Sequence, residues 1–110
     1  MKHVSIFASG SGTNAENIIR FFHKNDFVKV TQVLTNNKNA KVIERCKNLK
    51  IKCVVFNRES FFSTDEVLNL LKETTDFIVL AGFLWRIPEN IIANFERKII
   101  NVYVFMSAFL

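Results

Sequence analysis

Several chemistries are excluded by what this sequence has little of. Cys46 and Cys53 are its only cysteines, and they lack metal-ligand spacing and any extracellular context. They read as free thiols in a reducing cytoplasm, and no metal site is expected. No segment approaches the roughly 18 apolar residues of a membrane span, and the apolar run after Met1-Lys2-His3 is too short for a signal peptide. A cytoplasmic protein with no membrane partner is expected. There is no internal repeat and no low-complexity linker. Basic residues thicken between Lys38 and Lys52, but no aromatics interleave with them. That stretch reads first as a solvated helix face and second as mild steering of an anionic ligand, so no nucleic-acid partner is expected. The 110 residues are about half hydrophobic, with twelve Phe and a net charge of +5. Such a chain buries a core as one domain and is not disordered, though it is short for a complete nucleotide-type enzyme.

The most informative stretch runs from Val4 to Asn17. Val4 to Ala8 is a short β-branched and aromatic run, and reads as a buried strand. Ser9-Gly10-Ser11-Gly12 then turns into a helix, with Thr13 as the expected N-cap and Glu16 completing a capping box. Ile18, Ile19 and Phe22 give that helix one apolar face. A strand, a glycine turn and a helix N-terminus aim backbone N–H groups and partial positive charge into one space, which suits a phosphate. The plainer alternative is that the glycines only permit a tight turn. Gly10, Gly12 and Ala15 also satisfy the dinucleotide pattern. That pattern wants a carboxylate about 20 positions on for the ribose, where this chain has Leu34-Thr35-Asn36-Asn37.

The remaining pattern alternates strand and helix. Phe27 to Thr35 reads as a strand, Ala40 to Asn48 as a helix turning Val42, Ile43 and Cys46 inward, and Ile51 to Phe56 as a strand. Ser60 to Thr74 holds a further helix, capped by Ser63 or Thr64, with Val67, Leu68, Leu70 and Leu71 as its apolar stripe. Phe77 to Ala81 is a continuous apolar run, as for a strand covered on both faces. Pro88 suits the first turn of a short helix through Asn94, and Ile99 to Phe105 closes the pattern as a fifth strand. The expected fold is α/β, an open parallel sheet with helices on both faces. Ligands in such a sheet bind beyond the carboxyl ends of the strands, where strand order reverses. By topology Gly10 to Asn14, Ala81 to Pro88 and the residues after Ile100 converge there. His23 is expected to be a solvated residue at a helix C-terminus.

Four motifs, S-G-S-G-T-N at 9–14, L-T-N-N at 34–37, V-L-A-G-F-L at 79–84 and I-I-N-V at 99–102, together resemble the glycinamide ribonucleotide formyltransferase family. The resemblance is collinear from Met1 to about Val102 and includes the nineteen-position step from Gly82 to Asn101. It implies a Rossmann-like, formyltransferase-type fold. It also implies formyl transfer in purine biosynthesis, from formyl-tetrahydrofolate to the amine of glycinamide ribonucleotide, without a metal. Gly12, Thr13 and Asn14 are implied to hold the substrate phosphate. Leu84, Trp85, Arg86 and Ile87 are implied to address the folate, with Ile91, Ile92 and Ile99 as apolar wall or ordinary core. Trp85 stands where many members carry a basic side chain, and Arg86 follows it.

The family's catalytic trio is an Asn, a His two residues later and a distant Asp. Asn101 holds the Asn position, and Tyr103 stands where the His belongs. The family's His-Pro and Leu-Pro pattern is replaced by V-F-M-S-A-F-L, and no later Asp follows. These departures lead to the expectation of a member cut short after about residue 102, a single N-terminal phosphate-binding domain over 1–110 with a foreign 103–110 tail. Such a chain is expected to be inactive as it stands, because a neutral Tyr103 cannot act as a cationic donor near neutral pH. It is also expected to self-associate through an uncovered C-terminal strand bearing Val102, Val104, Phe105, Met106, Phe109 and Leu110. The competing readings are a catalytically silent phosphate- or nucleotide-binding α/β module and, against the missing carboxylate, a dinucleotide oxidoreductase domain.

Overall fold

The structure, a computed structural model, describes residues 1–102. Val4, Ile6 and Ala8 alternate with Phe7 at the centre of the sheet, and the two sets are buried in different cores. Burial on both faces is what a central parallel strand requires. In chain order the elements are β1 (Lys2–Phe7), α1 (Thr13–Phe21), β2 (Val28–Thr35), α2 (Lys41–Leu49) and β3 (Lys52–Val55). A π-helical turn (Glu59–Ser63) follows, then α3 (Glu66–Thr74), β4 (Phe77–Ala81), α4 (Glu89–Asn94) and β5 (Ile99–Val102). The sheet order is β3-β2-β1-β4-β5, and every neighbouring pair is parallel. This is the expected α/β architecture. The chain runs outward from β1 through β2 to β3, then returns to lay β4 on the other side of β1. The order therefore reverses between β1 and β4.

One core lies under α1 and α2. Ala15, Ile19, Val42 and Cys46 pack there on Val4, Ile6, Val30 and Val33. Cys46 and Cys53 are both free, as expected, and the neighbouring Cys53 thiol, with burial second, pushes the Cys46 thiol up and keeps it protonated. The other core lies under α3 and α4 and holds Phe7, Leu34, Phe56, Phe61, Leu71, Ile78 and Ile91. The fully buried Phe7 has ring centroids 5.2 Å from Phe83, 5.8 Å from Phe56 and 6.0 Å from Phe61.

Polar residues inside the sheet are paired. β2 carries one extra residue opposite Val4 and Ser5, because Val4 pairs with Val30 while Ser5 pairs with Gln32. The buried Gln32 spends both amide hydrogens, donating to Ser5 Oγ and to Thr74 Oγ1 at 2.9 Å each. This ties the irregular pairing to the end of α3, where leaving such groups unpaired would be costly.

One local expectation is corrected and two are sharpened. The residue capping α1 is Gly12, in the left-handed region at φ 78°, with no side-chain cap. Thr13 is already helical, and the Glu16 carboxylate turns to Arg20 and Arg45 instead of closing a capping box. A π-helical turn, Glu59–Ser63, precedes the helix expected within the stretch from Ser60 to Thr74. Asn57 and Ser60 bond each other reciprocally, Ser60 N–H to Asn57 Oδ1 at 2.9 Å and Asn57 N–H to Ser60 Oγ at 3.2 Å. The following turn is widened, with Thr64 N–H on the Glu59 carbonyl at 3.0 Å. α3 then starts afresh, its Glu66 N–H donating to Thr64 Oγ1 at 3.2 Å. Ile91 is fully buried, as ordinary core, and Ile92 is 47% exposed. Tyr103, the strand extension to Phe105 and the tail residues expected to self-associate lie outside the described residues.

Phe7→Ala is expected to destabilise the fold by about 3–5 kcal/mol, since it empties the centre of an aromatic cluster. Urea denaturation followed by circular dichroism measures it. A loss under 1 kcal/mol would show that the cluster does not depend on Phe7.

Candidate functional site

The strand reversal opens a cleft at the carboxyl ends of β1 and β4. It holds about 380 Å³ and is lined by Gly10, Ser11, Gly12, Thr13, Asn14, Ala81 and Gly82. Two of the three stretches expected to converge therefore do so. The third comes alongside: β5 pairs with β4 so that Asn101 faces Leu80 and Val102 faces Ala81. Asn101 is exposed at that edge and makes polar contacts of its own.

The two loops are joined by Ser9. Its N–H donates to the Gly82 carbonyl at 3.2 Å, and its buried Oγ accepts the Leu84 N–H at 2.9 Å. Gly82 is itself left-handed, at φ 73°. In the sequence Ser9 is one more turn residue. Its spacing held no signal, because its partner lies 75 positions away.

At the mouth of the cleft, the first-turn N–H groups of α1 have no carbonyl one turn back to bond. Those of Gly12, Thr13 and Asn14 make no hydrogen bond within the described residues. Gly12 is required for a reason that the sequence did not show. A Cβ there would collide with the Val42 side chain and come within 2.9 Å of the Val42 Cα. Its bareness thus serves the approach of α2, as well as any ligand. Glu16 sits one turn in, and its carboxyl is held below the ordinary carboxylate range first by its hydrogen bond to Arg45 and then by Arg20.

Leu84, Trp85 and Arg86 line a second cleft of about 660 Å³ together with Arg58, Phe62 and Ser63. Ile87, the fourth residue of that predicted segment, is buried in the core beneath. The Arg58 guanidinium carbon lies 4.6 Å from the centre of the Trp85 ring and 5.9 Å from that of Phe62. Such stacking holds a cation in place while its edge stays free to bind anions. A third cleft, of about 630 Å³, continues past Arg58 and Trp85 to Asn36, Lys38, Asn39 and Asn57. Arg58 was not singled out from the sequence. It lies between a strand and a helix in a stretch with no motif, and only the π-helical turn brings it beside Trp85.

Among the described residues no group of three or more His, Cys, Asp or Glu could hold a metal ion, and no helix is long and apolar enough to cross a membrane. His23 is exposed.

A family profile described as formyl transferase matches residues 2–104. The chain belongs to the formyl transferase family. It is 30% identical over 109 residues to the phosphoribosylglycinamide formyltransferase of Haemophilus influenzae, covering 94% of this chain and 51% of that protein. With the enzyme of the same name from Bacillus subtilis it shares 29% identity over 109 residues, covering 94% and 56%. Among solved structures, glycinamide ribonucleotide transformylase 1 from Geobacillus kaustophilus superposes with a TM-score of 0.85 at 32% identity, covering all of this chain and 62% of that one. The chain thus spans about half the length of the curated relatives it matches.

Gly12→Ala is expected to cost about 2 kcal/mol or more, from a left-handed alanine and the collision with α2. A thermal melt checks it, and wild-type stability would contradict the packing described. A depressed carboxyl pKa adds stability that is present above the unfolded-state value and lost as pH falls through the folded one. The Glu16 ion pairs are therefore expected to survive acidification through the ordinary carboxylate range and to break below it. An NMR titration of the Glu16 carboxyl should show this, with a shift back toward the ordinary value in Arg45→Met.

Proposed function

We propose that this chain is the substrate- and folate-binding part of a phosphoribosylglycinamide formyltransferase, working in the cytoplasm. The observation that carries the proposal is the cleft between β1 and β4, where unpaired N–H groups of a helix N-terminus meet the loop that leads to Leu84-Trp85-Arg86. In this reading residues 1–110 form one α/β domain. The phosphate of glycinamide ribonucleotide lies on the N–H groups of Gly12, Thr13 and Asn14, where the dipole of α1 favours an anion.

Formyl-tetrahydrofolate, the co-substrate, takes the neighbouring cleft. The flat, apolar surface of Trp85, Phe62 and Leu84 suits a fused ring system, and Arg58 and Arg86 suit the carboxylates of a glutamyl tail. The backbone through Ile87 addresses the edge of the pterin. The substrate amine attacks the formyl carbon, an oxyanion develops on the formyl oxygen, and collapse breaks the bond from that carbon to the folate nitrogen, which leaves with the proton the amine gives up. The Asn101 amide donates a hydrogen bond where that charge appears. Tyr103, at the position where the family's His is expected, supplies no positive charge, since a phenol is neutral or anionic. Losing one oxyanion donor typically costs about 2.7–4 kcal/mol, or roughly a hundred- to a thousandfold in rate. The same departure supports a second reading, a module that binds phosphate esters without transferring a formyl group.

Calorimetry with glycinamide ribonucleotide, and quenching of Trp85 fluorescence by 5-formyl-tetrahydrofolate, test the proposal. Both ligands are expected to bind, and turnover in a folate-absorbance assay is expected to be far below an enzymatic rate. Binding of the phosphate ester without the folate would favour the second reading, and binding of neither would remove both. Clear turnover that Asn101→Ala abolishes would overturn the argument from Tyr103.

A further inference from the structure

α2 reaches the 10–14 loop through two residues on its inner side. The Val42 N–H donates to the Gly10 carbonyl at 3.1 Å, and the Val42 side chain fills the space beside Gly12. Three residues later Arg45 lays its guanidinium along the loop. Its Nε donates to the Ser11 carbonyl at 2.5 Å, one terminal nitrogen donates to Glu16 Oε1 at 2.8 Å, and the other lies 3.5 Å from Thr13 Oγ1. A planar fork with fixed donor directions can serve three acceptors at once, which a lysine ammonium on a flexible stem does not reproduce. Arg45 is not among the residues lining the cleft, so it acts on the loop from behind.

Two features of the loop oppose an anion, and Arg45 addresses both. Glu16 carries a full negative charge in the first turn of α1, close to the unpaired N–H groups. The Ser11 carbonyl, in the middle of the loop, is a further negative pole. Arg20 also pairs with Glu16, with Nε 2.9 Å from Oε2, but it does so one turn along the same helix and its side chain is 64% exposed. Exposed pairs of that kind contribute little. Arg45 comes from a different element, is less exposed, and is bonded to the loop itself.

We propose that Arg45 is a positioning residue that sets the phosphate affinity of the 10–14 loop, by fixing the Ser11 carbonyl and masking the charge of Glu16. The inference rests on the phosphate-binding reading of that loop given above. It identifies an inert scaffold helix as the source of the electrostatics at the site. The basic stretch around α2 is then not wholly a solvated face, since one of its cations is turned inward to the ligand loop.

The test is calorimetric titration of the full chain with ribose 5-phosphate at low salt. Arg45→Met is expected to weaken binding roughly tenfold, as for the loss of hydrogen bonds from a charged group. Arg45→Lys is expected to lie between it and the wild type, and Arg20→Met close to the wild type. Adding Glu16→Gln to Arg45→Met should recover part of the loss. Simple loosening of the loop would not be relieved by removing yet another of its contacts, so that recovery separates electrostatic positioning from general support. Wild-type affinity in a folded Arg45→Met variant, or no recovery in the double variant, would overturn the proposal and leave the phosphate reading intact. A wild-type chain that does not bind ribose 5-phosphate would overturn both. If Arg45→Met fails to fold, Arg45→Lys carries the test, and wild-type affinity there would overturn the role of the fork.

Discussion

β1 and β4 are neighbours in the sheet, yet the chains leaving them turn toward opposite faces, one into α1 and the other into the segment before α4. Parallel strands that part in this way leave a gap at their carboxyl ends, with backbone groups from both exits around it. The gap would be ragged if the exits moved independently. Ser9 joins them by giving its N–H to Gly82 and accepting the Leu84 N–H with its hydroxyl. The placement of the loop that offers free N–H groups, and of the loop that offers Trp85 and Arg86, depends on this one buried serine.

The two cores give the clefts different characters. Under α1 and α2 the packing is by small and β-branched side chains, which lets α2 come close enough for Val42 to touch Gly12. A close helix on that side is what brings a guanidinium to the back of the loop. Under α3 and α4 the packing is aromatic. Phe7, Phe56 and Phe61 form its aromatic interior, and Phe83, Phe62 and Trp85 carry the same cluster out to the surface. A rigid aromatic shelf with Arg58 stacked on it follows from that packing. The widened turn at Glu59–Ser63 matters here, because it buries Phe61 while leaving Phe62 38% exposed at the rim.

The chain belongs to the formyl transferase family and retains the parts of the fold that make both clefts. Trp85 lines the second of them, together with Arg58 and Arg86. Trp85 stacks with Arg58 and is followed by Arg86, so positive charge surrounds that cleft.

The sequence by itself determined the elements and their succession along the chain. Alternation in Val28–Thr35, the unbroken apolar run of Phe77–Ala81 and the helical stripes of α1 to α3 are local patterns, and burial of one face or two follows from them directly. It also determined the glycine turn between β1 and α1 and, through collinear motifs, the family. Tertiary structure alone decided what holds those parts in place. Glu16 was legible as a helix-start residue, but a partner from α2 offered its carboxylate more than the capping box did. Gly12 was legible as a turn residue, but its necessity comes from Val42, 30 positions away. The hydrogen bonds of Ser9, the stacking of Arg58 and the three contacts of Arg45 join residues far apart in the chain. Periodicity carries no record of such pairings, because each side chain chooses its partner only after the sheet has brought the elements together.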